Sequence, residues 1–103
     1  MHVTIRDEIQ RHQTALRELC AELGVRRLEL FGSAVDSPSP RDLDFLAALG
    51  ERPPSEYAAA YFDLKERLEA LFGRPVDLIT PAGLDNPYFR ASVEQQRRLL
   101  YAA

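Results

Sequence analysis

Apolar residues recur early in the chain at Ile5, Ile9, Leu16, Leu19 and Leu23. Steps of three, four and seven draw one stripe on a helix, predicted from Thr4 to about Leu23. Thr4 and Asp7 have the spacing of an N-terminal capping arrangement, and Gly24 suits the helix stop. From Val25 to Phe31 the period falls to two, with Leu28 and Leu30 on one side and Arg27, Glu29 and Phe31 on the other, which predicts a strand. Gly32 to Arg41 holds one Gly, two Pro and three Ser and must turn. A second strand follows from Asp42 to about Leu49, with Leu43, Phe45, Ala47 and Leu49 on one face and Asp42, Asp44 and Leu46 on the other.

After Pro53 and Pro54, Ser55 is positioned to cap a helix to about Phe72, with Tyr57, Tyr61, Leu64, Leu68 and Leu71 at helical spacing and Gly73 as its end. Pro75 to Thr80 reads as a short apolar strand around Asp77, broken by Pro81 and Gly83. Asn86-Pro87 opens a last predicted helix carrying Tyr88, Phe89, Val93 and Leu100. The order helix, strand, strand, helix, strand, helix predicts an α/β fold, a mixed β-sheet flanked by helices.

The sequence has 103 residues, enough for one hydrophobic core and too few for a second domain, so residues 1–103 are expected to form a single small domain. With 46% hydrophobic and 28% charged residues, the chain has the apolar surface needed to offset folding entropy, and disorder is not expected. A formal charge of -3 argues against direct nucleic-acid binding, which draws on clustered Lys and Arg. The single cysteine, Cys20, excludes an internal disulfide and a Cys-rich zinc cluster, and beside the Leu16, Leu19 and Leu23 stripe it reads as a small buried filler. His12 reads as a residue at the core edge, and Arg90, Arg97 and Arg98 as a basic cluster on a solvated helix face or against a partner. No apolar run approaches the roughly 20 residues that span a bilayer, and the N-terminus lacks a signal core, so a cytoplasmic location without a membrane partner is expected.

The candidate chemistry lies in Gly32-Ser33, then Asp42 and Asp44, then Asp77. Glycine at a strand end lets the backbone approach a ligand, and serine adds a hydroxyl and an N–H for phosphate oxygens. Aspartates at i and i+2 of a strand share a face, and hard oxygen ligands suit Mg2+, which also accepts substrate phosphates as ligands. Two such ions about 4 Å apart can stabilise the attacking and leaving oxygens of an in-line displacement. Asp77 is a candidate third carboxylate, since an acid among apolar strand residues needs a ligand or a partner to offset burial. The alternative is a structural acid paired with an arginine such as Arg74. Asp42 and Asp44, taken alone, also fit solvated strand-edge charges.

Together these residues resemble the DNA polymerase beta-like nucleotidyltransferase superfamily, marked by a Gly-Ser turn, an Asp-x-Asp strand and a later third Asp. The resemblance is to its minimal nucleotidyltransferase (MNT) branch, whose members act as antitoxins in HEPN/MNT toxin–antitoxin pairs. It runs over nearly the whole chain: Phe31-Gly32-Ser33-Ala34-Val35, Asp42-Leu43-Asp44-Phe45-Leu46, Val76-Asp77-Leu78-Ile79, Asn86-Pro87-Tyr88-Phe89 and Leu100-Tyr101-Ala102-Ala103. The loop departs from the family pattern, lacking its usual Arg-Gly and carrying Arg41 in place of the serine before the first aspartate.

The resemblance implies a nucleotidyltransferase fold with Gly32 and Ser33 holding the triphosphate and Asp42 and Asp44 holding metal. It implies that Asp77 contacts a metal or takes the proton of the incoming hydroxyl. The implied activity is Mg2+-dependent adenylylation (AMPylation), with ATP as donor and a tyrosine of a HEPN-family toxin as acceptor. Two other readings stand beside it: an antitoxin that neutralises its toxin by binding alone, and a nucleotidyltransferase acting on RNA ends or a small molecule.

Overall fold

The computed structural model describes residues 4–31, 40–80 and 97–103. Its elements are α1 (Ile5–Arg11), α2 (Gln13–Leu23), β1 (Arg27–Phe31), β2 (Leu43–Ala48), α3 (Pro54–Phe72), β3 (Val76–Ile79) and β4 (Arg97–Ala102). The strands form one sheet in the order β3-β2-β1-β4, with β1 antiparallel to β2 and β4, and β2 parallel to β3. The sheet is therefore mixed, as the element order predicts. The parallel pair requires a crossover, and α3 supplies it.

One face of the sheet carries the main core. Leu28 and Leu30 of β1, Leu43, Phe45 and Ala47 of β2, and Val76 and Leu78 of β3 pack against Ile5, Ile9, Leu16, Leu19, Leu64 and Leu68 of the helices. The opposite face holds a small apolar cluster of Phe31, Leu46 and Ile79 among charged neighbours. Period-two alternation thus sends the apolar sets of β1, β2 and β3 inward and leaves Glu29, Asp44 and Asp77 on the other side.

Local chemistry explains the helix ends. The Thr4 hydroxyl accepts from the Asp7 N–H, and the Asp7 carboxylate accepts from the Thr4 N–H, both at 3.2 Å, which closes the expected capping box. Gly24 and Gly73 end α2 and α3 at φ 69° and 64°, the left-handed conformation that glycine adopts without a Cβ penalty. α3 begins one residue before the expected capping residue: Pro53 is its N-cap, and Pro54 takes the first helical position, where a missing N–H costs no bond.

Two expectations are corrected. The single helix to Leu23 is broken at His12 (φ -97°, ψ 12°), whose ring packs edge-on against Phe72 at 5.6 Å. Leu100, expected on a helix, lies on β4. There the register against β1 shifts between Leu28 and Glu29, which pair with Tyr101 and Leu99, and the skipped Leu100 marks a bulge. The expected helix start at Asn86-Pro87, with Tyr88, Phe89 and Val93, lies outside the described residues.

A cavity of about 600 Å³ sits between the C-terminal ends of α2 and β2, beside Gly24, Leu49, Gly50 and Arg52. Arg52 donates to the carbonyls of Leu23, Gly24 and Leu49 and so satisfies acceptors that the end of α2 leaves open. Arg52→Met removes all of these bonds at a cost of about 2 kcal/mol. A thermal melt followed by circular dichroism should show a fall of about 10 °C in a domain of this size. Arg52→Lys should recover little of it, because an ammonium lacks the planar fork that reaches three carbonyls. A change within about 2 °C for Arg52→Met would show that solvent replaces these bonds without cost.

Candidate active site

Asp44 is the second residue of β2 and Asp77 the second of β3, and the parallel register sets them directly opposite each other. Phe31, the last residue of β1, is the antiparallel partner of Asp44 on its other side. Three adjacent strands thus bring Phe31, Asp44 and Asp77 into one row on the face of the sheet opposite the main core, which no described helix covers. Asp42 lies one residue before β2, exposed, and its charge reaches Asp44.

The electrostatics of this row are unfavourable. Burial pushes the Asp44 carboxyl up from its ordinary 3.8 to about 6, helped by the Asp77 charge, a side-chain hydrogen bond with Asp77, and the Asp42 charge. Among the described residues, the ion pairs are Arg27–Glu29, Arg67–Glu22, Arg74–Glu8 and Arg97–Glu29, so no cation neutralises Asp42, Asp44 or Asp77. Arg74 binds Glu8 at 2.7 Å, which rules out its role as a structural partner for Asp77. Asp77 is exposed, so burial is not what demands its partner; the facing Asp44 is.

These carboxylates suit a hydrated divalent cation. Among the described residues no three His, Cys, Asp or Glu side chains close into a metal cage, and Asp42 stands apart from the facing pair. Mg2+ is held in such open sites, where one or two carboxylates, waters and substrate phosphates complete its octahedron. A cation there would also offset the burial and the like charges that together raise Asp44.

The pair opens into a cavity of about 350 Å³ lined by Phe31, Asp44, Tyr61, Lys65, Asp77 and Ile79. Tyr61 donates to the Leu78 carbonyl at 2.7 Å and fixes α3 against β3. Sequence reasoning assigns Tyr61 to the core and passes over Lys65. The available signal was that Lys65 is the chain's only lysine and sits four residues after Tyr61, on the same face of α3. Gly32 and Ser33 lie outside the described residues; they follow directly on Phe31.

The other singled-out residues have structural places. Cys20 is fully buried and its thiol is pushed up to about 11 by burial, which makes it inert filler as expected. His12 is half-buried against Phe72. Arg97 belongs to a strand and, with Arg27, pairs with Glu29, which is 3% exposed and went unnoticed in the sequence because it alternates like any solvent-facing strand residue.

Comparison with known proteins agrees with this fold. The nucleotidyltransferase domain family matches residues 12–100. "Putative protein adenylyltransferase MJ0128" of Methanocaldococcus jannaschii is 30% identical over 93 residues, 88% of this chain and 89% of that protein. A solved "putative minimal nucleotidyltransferase" is 32% identical with a TM-score of 0.64, over 86% of this chain and 89% of the other. Two further structures share the fold at 18% identity. One is of tri-AMPylated Shewanella oneidensis HEPN toxin in complex with MNT antitoxin (TM-score 0.63, 92% of this chain and 73% of that one). The other is a toxin–antitoxin complex with AMP-PNP (TM-score 0.65, 88% and 73%). No described helix is long and apolar enough to cross a membrane. With a family match over residues 12–100, most of its length, the chain belongs to the nucleotidyltransferase domain family.

Proposed function

We propose that residues 1–103 form one nucleotidyltransferase domain that adenylylates a tyrosine hydroxyl of a HEPN-family toxin in the cytoplasm, using ATP and Mg2+, and so acts as its antitoxin. The observation that carries this reading is the in-register Asp44–Asp77 pair, which has no neutralising cation among the described residues. The relative named as a protein adenylyltransferase and the fold shared with the AMPylated toxin complex support the choice of acceptor.

In this reading Asp42, Asp44 and Asp77 hold the metal, and Gly32 and Ser33 hold the triphosphate. The acceptor oxygen attacks the α-phosphorus, the bond to the β-phosphate oxygen breaks, and pyrophosphate leaves. The hydroxyl proton passes to a carboxylate, with Asp77 as the exposed candidate. Bound magnesium supplies charge neutralisation at the attacking and leaving oxygens. The protein's own contribution is to hold the carboxylates on adjacent strands, so that no reorganisation is needed when charge develops. A second reading, neutralisation by binding alone, is favoured by the loop, which lacks the family's Arg-Gly.

Intact mass of a co-expressed HEPN partner tests the transfer. With wild type the partner should gain whole AMP units. With Asp44→Asn the gain should fall by about 100-fold or more, the scale of losing an electrostatic contact to developing charge. A partner silenced equally by both forms, with no added mass, would establish binding alone. Label transferred to free RNA without a protein acceptor would establish the third class.

The raised Asp44 also predicts a stability profile. Its folded value of about 6 exceeds the ordinary 3.8, so the folded state binds the proton more tightly than the unfolded state does. Stability is therefore greatest below the lower value and is lost as pH rises through about 6. Without metal, Asp44→Asn should melt higher than wild type at pH 8, by about 1 kcal/mol after screening by solvent, or about 5 °C. The two should converge near pH 4, and Mg2+ at pH 8 should raise wild type but not the variant. Melting curves that stay parallel from pH 4 to 8 would refute the unfavourable pairing.

A further inference from the structure

Lys65 lies in the cavity of Asp44 and Asp77, yet the reading above gives it no task. It makes no ion pair among the described residues. Its position follows from the Tyr61 bond to Leu78, which sets the level of α3 on β3. Across the crossover α3 runs opposite to the parallel strands. Four residues along a helix cover about 6 Å, and two residues along a strand cover about 6.6 Å. Lys65, one turn after Tyr61, therefore stands beside Val76 and Asp77. Lys65 thus lines the same cavity as two carboxylates without forming an ion pair with either among the described residues.

Lys65 is the only lysine among the 13 basic residues, the other 12 being arginine (13 - 1 = 12). The difference matters chemically, because an ammonium is a compact point charge with three rotatable donors and follows tetrahedral phosphate oxygens without the fixed plane of a guanidinium. A triphosphate adds several negative charges to a wall that already carries Asp44 and Asp77, and Lys65 is the basic residue lining that cavity.

Building on the nucleotidyltransferase reading, we propose that Lys65 contacts the polyphosphate of the nucleotide donor, binding its non-bridging oxygens and selecting triphosphates over nucleosides. The contact differs from the metal ligands in coming from the crossover helix α3 and not from the strands.

A single lysine makes the test specific. The wild-type chain is acylated with an amine-selective reagent at pH 8, with Mg2+ present, and the rate at Lys65 is read by peptide mass spectrometry. ATP and inorganic tripolyphosphate should each slow the reaction several-fold, and adenosine should leave it unchanged. Lys65→Met should weaken ATP binding by about tenfold, the scale of one charge-assisted hydrogen bond. It should leave adenosine binding unaltered, and Lys65→Arg, which keeps the charge but not the compact ammonium, should restore only part of the loss. If ATP raises the melting temperature of wild type but does not protect Lys65, the contact is refuted and the nucleotidyltransferase reading stands. If Lys65→Met changes the KM for the protein acceptor and not for ATP, Lys65 belongs to the acceptor surface and the proposal fails. If wild type binds no ATP at all, both fall together.

Discussion

The parallel register between β2 and β3 is the constraint on which the site depends. It sets Asp44 opposite Asp77, and a slip of one residue would turn either the aspartates or their apolar neighbours to the wrong face. Several contacts hold it. Leu43 and Phe45, with Val76 and Leu78, are buried on the core side, so a slip would expose them. The Leu43 N–H donates to the Pro75 carbonyl at 3.1 Å, and the Val76 N–H donates to the Glu69 carboxylate of α3 at 3.1 Å, which pins the start of β3. The Tyr61 bond to Leu78 fixes the same strand from further along the helix. The crossover helix therefore does more than connect two strands: it sets their relative level, and with it the spacing of the two carboxylates.

What the core specifies, the carboxylates oppose. Burial of Asp44 destabilises its charged form in the folded chain, and the like charge of Asp77 in register adds to the penalty. Such strain persists only where the surroundings over-determine it, here through a hydrophobic core that accepts one register. The arrangement is consistent with a site completed by a ligand: the repulsion present without a cation becomes attraction toward one. Glu29, on the same face, shows the alternative. It is more deeply buried than Asp44, yet Arg27 and Arg97 lie against it, so its charge is compensated within the protein and has none left to offer a ligand.

Much of this was legible because strands report themselves by a period of two. The alternations of β1 and β2 identified the core face, and Asp42 and Asp44 followed as residues of the other face. The pairing of Asp44 with Asp77 was not legible, since register between distant strands is a tertiary property; order along the chain only nominated Asp77. β4 was misread for a specific reason. Its bulge lets Leu100 and Tyr101, neighbours in sequence, both pack against the core, which erases the alternation and leaves the spacing from Val93 to Leu100 to mimic a helix. The break at His12 was hidden because the apolar stripe continues through it. Lys65 was overlooked because a lysine on an amphipathic helix is ordinarily solvated; only the edge position of β3 brings it to the open face.

The two ends of the sheet show how size and chemistry part company. The larger cavity lies at the Arg52 end, but its guanidinium donors already meet the carbonyls of Leu23, Gly24 and Leu49, and what it contributes is a secured helix terminus. The smaller cavity lies at the Asp44 end, where among the described residues the carboxylates pair with no cation and the lysine with no anion. Unmet charge of both signs within one cavity, rather than volume, distinguishes a place for a ligand from a gap between packed elements. In the proposed reading, a metal-bound polyphosphate would supply the complementary charges, a cation for the aspartates and phosphate oxygens for the lysine. The same donor chemistry would thus account for both halves of a site that the described residues leave electrostatically unfinished.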